Sequence, residues 1–384
     1  MSLLIDHGEV YTPERKIDNG AVLVKENLIH FIGKSEDVAR SQDTHIIDAH
    51  GKKVIPGLID THIHGAGGFD MTGQEVSKAA QFLPRFGVTS FLASTQFLIS
   101  HEELLQAVAE IAECIQSQSD GAKILGIHME GPWIASDRSS MGSQKFCYPL
   151  TLEDIQLFQQ KAKGTIRMIT FAPELGEALE VIPYLKEMDI IPSIGHSNAD
   201  YDLTQKAILL GANHSTHTLN GMQPMHHRNP GVVGAVLNSP SVLCELIGDG
   251  YNVQPPVMQL LIKIKGIENV CLISDAVPIA GMPAGSQIHW DGFDIKTDGN
   301  YSMLLDGRPA GGYKLMNQIL KVMVDEASIP FRDALTMSTS VPARMLGVMR
   351  GELVPGSYAD IVILNDDYSV GLTMVEGNIA YSKN

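Results

Sequence analysis

The segment VIPGLIDTHIHGAGGF, residues 54–69, carries an apolar run that ends in two histidines one residue apart, His62 and His64. Side chains alternate along a strand, so both imidazoles emerge on one side and can grip a single ion together. Outward from this segment, short apolar runs recur at 87–95 (GVTSFLAST), 123–130 (KILGIHME), 166–173 (IRMITFAP), 190–197 (IIPSIGHS), 213–219 (NHSTHTL), 243–249 (LCELIGD) and 270–276 (VCLISDA). Stretches of helical periodicity, such as 101–118, 152–163 and 255–266, lie between them. Eight strands alternating with helices predict an α/β fold, a TIM-type (β/α)8 barrel. An open doubly wound sheet is the alternative, but it usually carries a glycine-rich phosphate loop after its first strand. HGAGG contains neither GxGxxG nor GK[ST].

Both chain ends read differently. The first fifty residues and the last thirty are rich in short alternating runs with turn signals such as DNG and HGKK. They predict a small β-sandwich domain built from residues 1–54 and 347–384, with the barrel, 55–346, inserted between.

The bulk numbers exclude some partners. Apolar residues make up 44% and charged residues 19%, as in soluble globular proteins. A net charge of −16 argues against nucleic acid or an anionic membrane surface as a partner. An anionic substrate therefore needs a local cationic pocket. Cys114, Cys147, Cys244 and Cys271 form no CxxC pair, so thiols in a reducing compartment are expected. No signal peptide or membrane-length apolar run is read, and the expected location is cytoplasmic.

The predicted strands end in a pattern. Strand one ends with His62 and His64, strand three with Glu130, strand five with His196, strand six with His217 and strand eight with Asp275. Barrel active sites lie at the carboxyl ends of the strands. Taken singly, an HxH pair is usually incidental, a terminal Glu is a solvated rim residue, and Asp275 is a helix cap. Six such residues on one rim predict a site for one or two divalent transition-metal ions, Zn²⁺ or Fe²⁺ first among them. His128 points the same way as Glu130, with a supporting or substrate-contacting role and a packing role evenly balanced. His214 is expected behind the ligands. His226, His227 and Arg228 form a small cationic loop suited to capping or to binding. The remaining histidines, His7, His30, His45, His50, His101 and His289, fall outside the rim.

These residues resemble the amidohydrolase superfamily, and most closely its N-acetylglucosamine-6-phosphate deacetylases. The resemblance rests on PGLIDTHIHG (56–65), GIHMEGPWI (126–134), GHSNADYD (195–202), STHTLNGM (215–222), HHRNPGVVGAVL (226–237), LISDA (272–276) and ELVPGSYADIVIL (352–364). It implies that Glu130, His196 and His217 hold a principal metal and that His62 and His64 hold a second, with Glu130 between. It also implies Asp275 as the catalytic aspartate, with Asn220, Gly221, Arg228 and Gln144 as substrate contacts, and a homodimer. Two departures stand out. The family's DGxH is here DGYN, with Tyr251 and Asn252, and its GTLAGS loop is here GRPAGG. Asn252 carries no charge where a histidine can, and Arg308 adds one, so a shifted substrate (an epimer, another acyl group or another anion) is expected.

The implied activity is hydrolysis of the acetyl amide of an amino-sugar phosphate. A metal brings the pKa of a bound water from about 15.7 to about 7. Asp275 takes the water's proton and passes it to the departing nitrogen. A dry pocket raises the pKa of that aspartate and a nearby cation lowers it, and the sequence leaves the winner open. The alternative activity keeps the barrel but acts on another N-acyl or a cyclic amide substrate, which has no use for the NGM…HHR elements. A non-catalytic scaffold would have shed ligands that this chain retains.

Overall fold

The computed structural model describes residues 2–96, 99–138 and 147–383. Eight parallel strands follow one another in sequence order around a barrel: β1 Leu58–Ile63, β2 Val88–Ser94, β3 Lys123–Glu130, β4 Ile166–Phe171, β5 Ile191–Ile194, β6 His214–Ser215, β7 Leu243–Ile247 and β8 Val270–Ile273. The barrel closes where the His64 amide donates to the Ala276 carbonyl (2.7 Å) and the Asp275 amide to that of His62 (2.9 Å). Every residue of β1, β2 and β8 is buried. Helices cover one face and the packed interior the other, which explains why these strands read as unbroken apolar runs.

Local chemistry sets the helices. His101–Ser117 starts at Ser100, whose hydroxyl accepts from the Glu103 amide while the Glu103 carboxylate accepts from the Ser100 amide. Leu104, Ala107, Val108, Ile111 and Ala112 then form one buried stripe at helical spacing. Among the described residues no helix is long and apolar enough to cross a membrane.

The chain ends form a second unit. Strands Ser2–Tyr11, Lys16–Lys25, Leu28–Lys34, Thr44–Asp48 and Lys53–Pro56 share one sheet with Ile361–Leu364, Val370–Val375 and Asn378–Ser382. The two termini meet where Lys53–Pro56 pairs antiparallel with Ile361–Leu364. Val22 and Val24 from the amino-terminal strands share one buried core with Ile361, Ile363 and Met374 from the carboxyl-terminal ones. The two halves of the sandwich are thus continuous in hydrogen bonding.

A third element was not foreseen. Strands Gln287–Trp290, Phe293–Thr297 and Ser302–Leu304 form an antiparallel sheet between β8 and the helix Met316–Asp325. Its Trp290, Ile295 and Leu304 pack on Val277 and Ile279 as a separate small core, which sets Trp290 over the barrel mouth.

Only Gly57 separates the end-built sheet from β1. A Cβ there would lie 2.0 Å from Thr89 Oγ1 and 2.6 Å from Thr89 Cβ, so neither a rotamer change nor a small shift relieves the clash. Gly57→Ala is expected to lower unfolding stability by about 1–3 kcal/mol, the usual cost of overpacking. Denaturant unfolding of the two proteins measures this, and equal midpoints would show that the junction has slack.

Candidate metal centre

Glu130 ends β3 at the centre of the barrel mouth and is buried. Its Oε1 lies 2.9 Å from His196 Nε2, 2.8 Å from His217 Nε2 and 3.5 Å from His62 Nε2, and its Oε2 lies 3.0 Å from His64 Nε2. The paired nitrogens also face each other, at 3.2 Å for His62 and His64 and 2.9 Å for His196 and His217. Asp275 Oδ1 stands 3.5 Å from both His62 Nε2 and His64 Nε2. The expected six residues therefore converge as one cluster.

The backbone aims them. β5, β6 and β8 stop short of the predicted runs, and His196, His217 and Asp275 sit two residues beyond them with φ of 45°, 27° and 49°. Left-handed backbone is uncommon for residues with a Cβ, and it collects at functional sites. Here it breaks the alternation of the strand and turns each side chain into the mouth.

Hydrogen bonds at the far ring nitrogens fix the imidazoles. Glu245 Oε2 accepts from His62 Nδ1 (3.0 Å) and from the His217 amide (3.2 Å). The Arg138 carbonyl accepts from His196 Nδ1 (2.9 Å). Both leave an Nε2 lone pair directed inward, the arrangement a metal-binding histidine requires. Beneath them His128 bridges Ser94 Oγ (3.3 Å) and Thr170 Oγ1 (2.7 Å), and Thr170 continues to Thr216 and Ser193. His128 is thus a packing and support residue. His214 bonds to Asn213 Oδ1 at 2.9 Å, and burial depresses it to about 3.

Burial works against the charges on Glu130, His62, His64 and Asp275, and pairing outweighs it. It pushes the Glu130 carboxyl up, but His62 and the bonds from His196 and His217 hold it well below the usual range. Burial opposes a charge on His62, but Glu130 and Glu245 keep its imidazole well above the ordinary value. His64 is pulled down by burial and pushed up by Asp275 and Glu130, to about 9. For Asp275, burial is outweighed by His64 and His62, and its carboxyl is lowered. Beside these imidazoles Asp275 favours the carboxylate form.

Glu130, His196 and His217 could hold one cation, and His62, His64 and Asp275 a second. The donor set fits a transition metal. Four ring nitrogens and two carboxylates meet in a buried place where, without a cation, nitrogens must face nitrogens. A cavity of about 210 Å³ opens over them, lined also by Asn220, Gly221, Tyr251, Asn252 and Trp290.

The other expected site residues divide. The Asn220 amide donates to the Asn252 carbonyl (3.2 Å), and the Asn252 amide to Asp249 Oδ2 (2.7 Å). Gly221 has φ 63°, and a Cβ there would come within 2.7 Å of His196 Nδ1, so the position admits only glycine. Tyr251 stacks on Tyr301 with centroids 4.2 Å apart. Arg228 is exposed on its loop, and Arg308 is an exposed partner of Asp306 (2.9 Å), so neither lines the cavity. Gln144 lies outside the described residues. Glu245, Arg138 and Trp290 were missed. A lone carboxylate inside LCELI was a readable sign for Glu245, whereas Arg138 and Trp290 reach the site through loop and insert geometry.

A family model for the amidohydrolase family matches residues 53–380. The chain is 33% identical to the N-acetylglucosamine-6-phosphate deacetylase of Bacillus subtilis (strain 168), over 99% of this chain and 97% of that one. It is 31% identical to the N-acetylgalactosamine-6-phosphate deacetylase of Escherichia coli O157:H7, over 87% and 89%. The crystal structure of the N-acetylglucosamine-6-phosphate deacetylase from Pasteurella multocida superposes over 100% of both chains, with a TM-score of 0.92 and 28% identity.

Two measurements test the centre. Glu245→Gln weakens the support behind His62 and His217, and Zn²⁺ affinity should fall roughly ten- to hundredfold. Competition with a chromophoric chelator reads this, and unchanged affinity would remove Glu245 from the site. At pH 7 the chelator-stripped protein carries a proton on His64, pushed up to about 9, and Glu130 and Glu245 favour one on His62 too. Zn²⁺ must expel them, so the calorimetric enthalpy should differ between phosphate and Tris buffers. That difference should fade as pH rises past about 9.

Proposed function

The chain belongs to the amidohydrolase family, and from that membership we propose that it removes the acetyl group from an N-acetylated amino-sugar 6-phosphate, giving acetate and the free amino-sugar phosphate. The enzyme is an N-acetylglucosamine-6-phosphate deacetylase-like carbon–nitrogen bond hydrolase. The observation that carries this reading is Asp275 at the mouth of the cavity, 3.5 Å from His64 Nε2 and beside the Glu130 cluster.

Glu130, His196 and His217 would hold the principal ion, and His62 and His64 a second, with Zn²⁺ or Fe²⁺ suited to so many imidazoles. When bound, such an ion supplies Lewis acidity toward the acyl carbonyl and makes a water acidic enough to ionise near neutral pH. Asp275, beside His62 and His64 at 3.5 Å, accepts the proton of the attacking water. Oxygen adds to the acetyl carbon, the carbon–nitrogen bond breaks, and Asp275 returns the proton to the departing nitrogen. Glu130 cannot share this task, because its oxygens are committed to four imidazoles. Asn220 and Gly221 wall the part of the cavity where the sugar phosphate would rest, and Asn252 holds Asn220 in place. Arg228 and Arg308 take no part in this account. The buried thiols Cys244 and Cys271 suit a cytoplasmic location, and a homodimer is the expected assembly.

The test is free-amine release from N-acetylglucosamine 6-phosphate, its galacto epimer and unphosphorylated N-acetylglucosamine by metal-loaded protein. Rapid turnover of a phosphorylated sugar is expected. Asp275→Asn should cut kcat by roughly 10²–10⁴-fold while the ion held by Glu130, His196 and His217 is retained. No amine from any of the three would overturn the proposal.

A further inference from the structure

The mechanism above leaves one fully buried carboxylate without a task. Asp60 lies on β1 two residues before His62 and lines no part of the cavity. Burying a carboxylate is costly unless hydrogen bonds satisfy it, and the bonds here come from one neighbourhood. Its Oδ2 accepts from the Ser274 hydroxyl (2.5 Å), and its Oδ1 from the Ser274 amide (3.2 Å) and the His62 amide (3.4 Å). Ser274 is the first residue after β8 and the one before Asp275.

The bonds continue past that aspartate. The Ser274 hydroxyl accepts from the Ala276 amide (3.1 Å), so one side chain spans the residues on both sides of Asp275. The Asp275 amide donates to the His62 carbonyl (2.9 Å), and the Asp275 carbonyl accepts from the Gly312 amide (2.6 Å). Asp275 has φ 49°, a conformation that a residue with a Cβ keeps where its surroundings over-determine it. The clamp also explains why a carboxylate is used. One oxygen faces two amides, which can only donate, and the other faces a hydroxyl whose lone pair serves Ala276. An asparagine would keep the first contact but turn a donor toward the hydroxyl.

We propose that Asp60, acting through Ser274, is the positioning residue for Asp275: it holds the backbone turn that sets the Asp275 carboxylate beside His62 and His64. This rests on the reading of Asp275 as the proton carrier. The competing account is a stitch that only closes the barrel between β1 and β8.

Steady-state kinetics of the metal-loaded protein, with N-acetylglucosamine 6-phosphate and its galacto epimer, separate the two. Ser274→Ala removes the hydroxyl without touching His62, and Asp60→Asn keeps the shape of the side chain. In Ser274→Ala, kcat per folded protein should fall roughly ten- to hundredfold, the cost of a displacement of about 1 Å, with KM little changed. Asp60→Asn should lose less. In an Asp275→Asn background, Ser274→Ala should add almost nothing, because the side chain it acts through is already gone. A lowered thermal midpoint with unchanged kcat, or a full further loss in the double variant, would overturn the proposal. A crystal structure of Ser274→Ala gives a readout independent of turnover. Asp275 Oδ1 should draw away from its places 3.5 Å from His62 and His64, while His196 and His217 keep theirs. An aspartate left in place would remove the clamp. A wild-type protein that deacetylates neither sugar, with the displacement seen in the variant, would sink the activity and leave the clamp standing.

Discussion

One carboxylate facing four imidazoles is the constraint on which this structure turns. Taking Glu130 out of water costs several kcal/mol unless partners compensate. Here the partners are His62, His64, His196 and His217, brought from three other barrel strands. Each must then be held against its own tendency to point elsewhere. Glu245 does this for His62 and for the backbone of His217, and the Arg138 carbonyl does it for His196. The chain of hydroxyls from Ser94 through His128 to Thr170, Thr216 and Ser193 satisfies the polar groups beneath. A barrel suits such an arrangement because every strand can deliver one group to the same mouth.

Asp275 shows how the same charges set a chemical role. Burial alone would raise its carboxyl and favour an acid. The two imidazoles 3.5 Å away reverse that and favour a base. The cluster thus arranges the metal donors and selects the protonation state of the residue beside them. Farther along the cavity, Tyr251 is braced by Tyr301, which also lies 4.8 Å below the ammonium of Lys314. The cavity wall is thus made partly by the inserted sheet, through Trp290, and partly by the loops that follow the barrel strands.

Much of this was legible in the residues. Unbroken apolar runs with a polar residue at each end identify barrel strands because both faces of such strands are covered. The convergence of His62, His64, Glu130, His196, His217 and Asp275 followed from where those runs stop. What stayed hidden had physical reasons. The left-handed backbone at His196, His217 and Asp275 has no sequence mark, since glycine, its usual sign, is absent there. The insert carrying Trp290 is a short antiparallel sheet inside a (β/α) rhythm. Arg308 lies beside Asp306 on an exposed loop; charge can be read from sequence but the direction of a loop side chain cannot. Arg138 was overlooked for the same reason.

The sheet that joins the chain ends has a consequence for synthesis. Lys53–Pro56 can pair with Ile361–Leu364 only after the whole barrel has left the ribosome. At roughly 5–20 residues per second that is a wait of some tens of seconds. Throughout it, the amino-terminal strands have one edge without its native neighbour, and an unpaired edge invites pairing with other chains. Of the three elements, this sheet depends most on shielding during translation, and its last strands are the ones a premature stop would remove.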